Sequence, residues 1–156
     1  MTSMRDDQSR RLLETMRSVE LFSELDEDTL GLLVDKAELV EYQPGDYLCT
    51  EGEPGDRMFV IDLGEVSVLK RGHDGKPAQI AVLRPGEIAG ELSLFGQSTR
   101  NATLQARRQA TVLELGHADF QQLLDQHPEI ARALLMPIVQ QLRRQNWMVA
   151  ELLTRD

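Results

Sequence analysis

The chain has 156 residues, 41% hydrophobic and 4% aromatic, which suits one compact domain with some helical extension and excludes two full domains. Seventeen basic against 26 acidic residues give a formal charge of −9. Basic residues gather in nothing larger than pairs, such as Arg10-Arg11, Arg107-Arg108 and Arg143-Arg144, so nucleic-acid binding by this chain is not expected.

The opening MTSMRDDQSRR has no apolar core, and no run of about 18 apolar residues occurs, so neither a signal peptide nor a membrane span is expected. From Arg5 to Val19, apolar Leu12, Leu13, Met16 and Val19 recur at helical spacing, predicting a first amphipathic helix. A second helix is expected from an Asp26 N-cap, with Leu30, Leu33, Val34 and Ala37 on one face.

From Glu38 the pattern changes to short β-rich runs separated by Pro44-Gly45-Asp46, Pro54-Gly55-Asp56, Gly64, Gly72 to Gly75 and Pro85-Gly86. This rhythm predicts a small barrel or sandwich. Met58 to Ile61 is apolar on both faces and should lie centrally, while Val66 to Val68 and Ile80 to Val82 should each bury one face. Cys49, the only cysteine, excludes an internal disulfide, a multi-cysteine zinc site and a cysteine-ligated iron–sulfur cluster. It reads as a plain buried thiol in a strand, and a chain with one such thiol is expected in the reducing cytoplasm.

The β series is interrupted between Ile88 and Leu104, and strands are expected to resume around Thr111 to Leu115. The interrupting stretch, GELSLFGQSTRNATL from Gly90 to Leu104, places a glycine and an acid ahead of a short apolar turn and an arginine beyond it. A turn opening at Gly90 would present unpaired backbone N–H groups to an anion. Arg100 could close on the same anion, since its planar fork matches phosphate oxygens. Glu91 cannot bind phosphate and needs a donor, which a ribose hydroxyl beside the phosphate would provide. The same acid and arginine would also suit an ion pair on a surface loop. Because the overall charge repels anions, any such site must rely on local donors.

After Gly116 the chain becomes helical, from Ala118 to about Gln126 and then from Pro128 to Leu153. In the long helix, Leu135, Ile138, Leu142, Gln145, Val149 and Leu152 follow the three-four spacing of a coiled-coil seam. That stripe would serve either self-association or packing on the chain's own barrel. Pro137 removes one helical hydrogen bond and predicts a kink.

The order of these elements, with Gln43-Pro44-Gly45-Asp46, Glu51 to Asp56, Asp62 to Val66 and the Gly90 to Leu104 insertion, resembles the cyclic nucleotide-binding domain from Leu21 to Leu153. The resemblance implies a mainly β fold with flanking helices: a β-roll or jelly-roll barrel with an inserted phosphate-binding cassette and a long C-terminal helix. The expected divisions are an N-terminal helical extension at 1–20, the β-roll at 21–127 and a hinge and dimerisation helix at 128–156. It further implies that Glu91 accepts the ribose 2′-hydroxyl and that Arg100 pairs with the cyclic phosphate.

Within the family the chain resembles the bacterial catabolite activators, whose long helix dimerises and reaches the base. Alignment on His127 to Ile130 and Leu142 sets Gln145 and Asn146 at the base-contacting positions. The expected ligand-binding set is therefore Gly90, Glu91, Leu92, Ser93, Arg100, Asn101, Ala102, Gln145 and Asn146. Trp147, next to that pair, could stack on a purine or face outward. Thr99 replaces a frequent proline, and Asn101 stands where alanine, serine or threonine is usual, which leaves the base preference open. The chain stops at Arg155-Asp156, where the activators continue into a helix-turn-helix, so no DNA-reading element is expected.

The expected function is a regulatory sensor for cyclic AMP, or cyclic GMP, signalling through the C-terminal helix to a homodimer or an unknown downstream protein. The competing expectation is a degenerate member that keeps the fold as a docking scaffold. An enzyme is not expected: His73, His117 and His127 form no closely spaced metal pair, and no serine or threonine of the insertion has a nearby histidine. No cofactor or metal is expected.

Overall fold

The computed structural model describes the backbone of residues 3–154 and the side chains of residues 7–144. Helix α1 (Ser3–Arg17) leads through a 3-10 turn (Glu20–Phe22) into α2 (Glu27–Lys36). Asp26 caps α2 as the sequence predicts, its carboxylate accepting from the Thr29 N–H at 2.8 Å. Helix α1 ends before Val19, because residues 18–22 turn to bury Val19, Leu21 and Phe22 against the helices and the sheet.

Ten short strands follow: β1 (Glu38–Tyr42), β2 (Tyr47–Cys49), β3 (Pro54–Gly55), β4 (Arg57–Leu63), β5 (Val66–Arg71), β6 (Pro77–Leu83), β7 (Ile88–Ala89), β8 (Ser98–Thr99), β9 (Thr103–Ala106) and β10 (Ala110–Gly116). Their pairing is nested. β5 pairs with β6, β4 with β7, β3 with β8, β2 with β9 and β1 with β10, all antiparallel. The chain is thus one long hairpin, tipped at Gly72 to Gly75, that is rolled over itself. Further pairings of β10 with β4 and of β9 with β5 close it into two four-stranded sheets, β1-β10-β4-β7 and β2-β9-β5-β6. This is the expected jelly-roll architecture, mainly β with flanking helices, and it is closed by α3 (His117–Gln126) and α4 (Glu129–Thr154).

β4 shows how two cores arise from one strand. Successive side chains of a strand point to opposite faces, so Met58 and Val60 enter the cluster shared with the helices, while Phe59 and Ile61 fill the inside of the roll. Met16, Phe22, Leu33, Phe120, Leu123 and Leu134 join the first cluster; Val66, Leu104 and Val112 join the second. Asp62, next along β4, is buried and satisfied from three sides. Arg11 of α1 donates to it through Nε (3.3 Å) and Nη2 (3.0 Å), Thr15 through Oγ1 (3.1 Å) and Thr111 of β10 through Oγ1 (2.7 Å). One carboxylate therefore fastens the first helix to the sheet.

Several expectations are corrected. Strands resume at Ser98, not near Thr111: β8 is only two residues long, and β9 alternates inward Leu104 and Ala106 with more exposed Thr103 and Gln105 over too short a span to stand out. Ile80 is 60% exposed, because it lies in the outer part of edge strand β6, where residues 77–81 are exposed on both faces; a bulge also falls there, Val68 pairing with Ala81 and Leu69 with Gln79. The expected seam of α4 is split. Ile138 packs on the helical cluster with Ile130 and Leu134, while Leu135 and Leu142 are 59% and 52% exposed. As expected, α4 is one long helix with Pro137 inside it, and the proline ring is buried. The side chains of Gln145, Asn146, Trp147, Val149 and Leu152 lie outside the described residues.

Candidate functional site

The insertion between β7 and β8 opens on Gly90, whose φ of +74° and ψ of +27° are left-handed backbone that costs glycine little. A side chain there would also meet Arg100 Nη1 at 2.5 Å and the Arg57 carbonyl at 3.1 Å. From Gly90 the chain makes one 3-10 turn, Glu91–Leu94, whose first hydrogen bond runs from the Ser93 N–H to the Gly90 carbonyl at 3.0 Å. The N–H groups of Glu91 and Leu92 precede that bond and are left at the open end of the turn. Leu94 fixes the turn in the helical core, and the Leu94 carbonyl meets His117 Nδ1 at 2.8 Å. Phe95 stands edge-on to Phe120, ring centres 5.8 Å apart.

Arg100 arrives from the opposite side. Its backbone is held by the loop before β3, its N–H donating to the Glu53 carbonyl (2.8 Å) and its carbonyl accepting from the Gly52 N–H (2.9 Å). The side chain is 8% exposed. Its Nη2 donates to the Arg57 carbonyl at 2.9 Å, its Nη1 makes a longer contact to Ser93 Oγ at 3.4 Å, and its Cζ lies 4.9 Å from the centre of the Phe59 ring. Among the described residues no carboxylate lies within 4.0 Å of Arg100. A guanidinium this buried is normally paired with a negative group.

Arg57, the carbonyl partner, is itself fixed. Its Nη1 lies 3.1 Å from Oε1 of buried Glu114, the bond that chiefly raises the Arg57 pKa, and Glu114 also accepts from the Tyr42 hydroxyl. Burial first, then that hydrogen bond, push the Tyr42 pKa above its ordinary 10.0.

A pocket of about 270 Å³ opens between the turn and the roll. Glu91 and Arg100 both line it, and the Glu91 side chain has no described hydrogen-bond partner. This removes the alternative of a surface Glu91–Arg100 ion pair. Gly90, Leu92, Asn101 and Ala102 share the wall, Leu92 being 65% exposed; Ser93 is fully buried behind it and bonded to Ser98 Oγ at 3.0 Å. Cys49, Val68, Leu83 and Leu104 make the apolar side. Burial pushes the Cys49 thiol up, against the pull of Arg100; the thiol expected to be buried is instead half-buried on the pocket wall. The described backbone of α4 carries Gln145 and Asn146, and their side chains lie outside the described residues.

Sequence reasoning missed Phe59, Gly55 and Arg57. Phe59 read only as core, Gly55 as a turn residue, and nothing local marks a backbone carbonyl as the acceptor for an arginine elsewhere in the chain. Among the described residues no group of three or more His, Cys, Asp or Glu could hold a metal, and no helix is long and apolar enough to cross a membrane.

The family model of the cyclic nucleotide-binding domain matches residues 39–127. The crystal structure of the N-terminal domain of a transcriptional regulator from Streptomyces coelicolor A3(2) superposes with a TM-score of 0.81 at 38% identity, covering 86% of this chain and 94% of that one. The CRP-like cAMP-activated global transcriptional regulator of Mycobacterium tuberculosis is 26% identical over 92% of this chain. Human cGMP-dependent protein kinase 2 is 35% identical over 83% of it. The chain spans 64% of the first of these two relatives and 17% of the second.

Proposed function

Because the chain belongs to the cyclic nucleotide-binding domain family, we propose that it is a regulatory sensor that takes a cyclic mononucleotide in the pocket between Glu91 and Arg100. The observation that carries this reading is the buried Arg100 guanidinium, which faces that pocket with no carboxylate partner among the described residues. An anion bound there would meet the planar fork of Arg100 and the open N–H groups of the Glu91–Leu94 turn. Glu91, an acceptor without a described partner, suits the ribose 2′-hydroxyl of the same ligand. The volume is near the lower end of the roughly 300–1,000 Å³ usual for small-molecule sites, which favours a compact ligand.

In this reading Gly90, Leu92 and Ser93 frame the phosphate, Asn101 beside Arg100 offers its amide to a phosphate oxygen, Ala102 continues the wall, and Gln145 and Asn146 of α4 reach the base. We take cyclic AMP as the ligand, in line with the cAMP-activated relative, with cyclic GMP as the competitor to test. The divisions 1–20, 21–127 and 128–156 then act as extension, sensor and output helix. The exposed Leu135, Met136 and Leu142 of α4 support a homodimer through the outer face of that helix, and the single cysteine agrees with a cytoplasmic setting.

Calorimetric titration with cyclic AMP and cyclic GMP tests the reading. Binding is expected in the micromolar range (about −8 kcal/mol). Arg100→Ala should lose about 2–4 kcal/mol of it, since each hydrogen bond to a charged group contributes about 1.5–3 kcal/mol. Unchanged affinity in that variant would rule out Arg100 as the phosphate partner.

A further inference from the structure

The structure assigns a part in the pocket to a residue outside its wall: we propose that Lys70 is a positioning residue that holds the backbone at Asn101, and through it the placement of Arg100 and Ala102. This rests on the cyclic nucleotide reading above.

Two hydrogen-bonded ladders stop on either side of Asn101. β9 pairs with β5 only from Thr103, opposite Leu69, onward. On the other side the backbone of Arg100 bonds to Gly52 and Glu53. The Asn101 carbonyl belongs to neither, and Lys70 Nζ donates to it at 2.7 Å. Lys70 can reach because side chains alternate along β5, setting it on the face of Val66 and Val68, and Val68 lines the pocket.

Glu51 aims the ammonium. Its Oε2 is 3.6 Å from Lys70 Nζ, its Oε1 accepts the Arg71 N–H at 3.0 Å, and its own N–H donates to Thr103 Oγ1 at 2.9 Å. Glu51 is therefore fixed between the last residue of β5 and the first of β9. The Lys70–Glu51 pair alone contributes little, with the lysine half exposed. Its consequence is geometric. A charge-assisted bond to a carbonyl one residue past Arg100 sets the path by which Arg100, Asn101 and Ala102 pass along the pocket wall. An ammonium already shared between a carboxylate and a carbonyl is poorly placed to serve as a phosphate ligand.

The test compares wild type, Lys70→Met and Lys70→Arg in the full chain, by calorimetric titration with cyclic AMP and cyclic GMP and by the carbonyl carbon shift of Asn101 without nucleotide. Lys70→Met should weaken binding of both nucleotides about tenfold and move the Asn101 resonance, while Tm falls by no more than about 2 °C. Lys70→Arg, which keeps the donor, should restore both to within about twofold of wild type. Wild-type affinity in Lys70→Met overturns the proposal. So does a loss that comes with a large fall in Tm and is not recovered by arginine. A wild type that binds neither nucleotide overturns the functional reading and this one with it, whereas a binding wild type indifferent to Lys70→Met overturns this one alone.

Discussion

Arg100 passes over Gly55 so closely that a Cβ on that glycine would lie 2.0 Å from the guanidinium Nε and 2.3 Å from Cζ. The two residues belong to the ribbon in which Pro54 and Gly55 pair with Thr99 and Ser98, so neither backbone can move away without opening β3 from β8. Gly55→Ala must therefore displace the arginine. Overpacking of this kind typically costs about 1–3 kcal/mol. Calorimetry should show cyclic nucleotide affinity falling more than the thermal stability of the free protein; an alanine variant with wild-type affinity would mean that Arg100 does not need its present path.

The Asp62 cluster should be asymmetric to mutation. Arg11→Met leaves a fully buried carboxylate with only two hydroxyl donors, and removing one partner of a buried ion pair costs about 3–5 kcal/mol. Asp62→Asn leaves an arginine whose side chain is 40% exposed and can hydrate, so about 1–2 kcal/mol is expected. Urea unfolding of the two variants gives the order directly, and the reverse order would contradict the assignment of Asp62 as the fastening point of α1.

Tyr42 sets a dependence on alkaline pH. Burial and its bond to Glu114 raise its folded pKa above 10.0, so its contribution is complete below pH 10. As pH rises further, the unfolded chain ionises this hydroxyl while the folded chain retains the proton, and stability declines. The stability advantage of wild type over Tyr42→Phe should accordingly hold up to about pH 10 and shrink progressively between about pH 10 and pH 12. A constant difference over that interval would show that the hydroxyl is not held as described.

Leu142 is 52% exposed on the outer face of α4, in line with Leu135. If that face joins two copies, Leu142→Glu should convert a sedimenting dimer to monomer while the roll keeps its Tm, because the core-facing Ile130 and Leu134 are untouched. A wild-type protein already monomeric at concentrations of about 100 μM would remove the dimer from the proposal.

Features with local causes were legible in the sequence. The Asp26 cap, the doubly apolar Met58 to Ile61 and the Gly90-Glu91 start of the inserted turn each depend on a few adjacent residues, and each is found as expected. What escaped depends on partners far along the chain. Ile80 has the right alternation for burial but lies in the outer part of an edge strand, where residues 77–81 are exposed on both faces. Phe59 becomes the surface beneath Arg100 only once β4 and the insertion are brought together. The two faces of α4 could not be sorted from spacing alone, since the roll, not the helix, decides which leucines are covered.

The nested pairing also has a kinetic meaning. Residues 71 and 77 meet across the Gly72 to Gly75 tip, whereas 38 and 114 meet only at the far end. Each ladder that forms shortens the loop left for the next, so assembly by zipping outward from that tip spreads the entropic cost of closing the widest loop over many small steps. The inserted turn lies between β7 and β8, inside a loop the zipper must close in any case. Evolution can therefore rewrite its ligand chemistry, residue by residue, while the sequence of folding events stays the same.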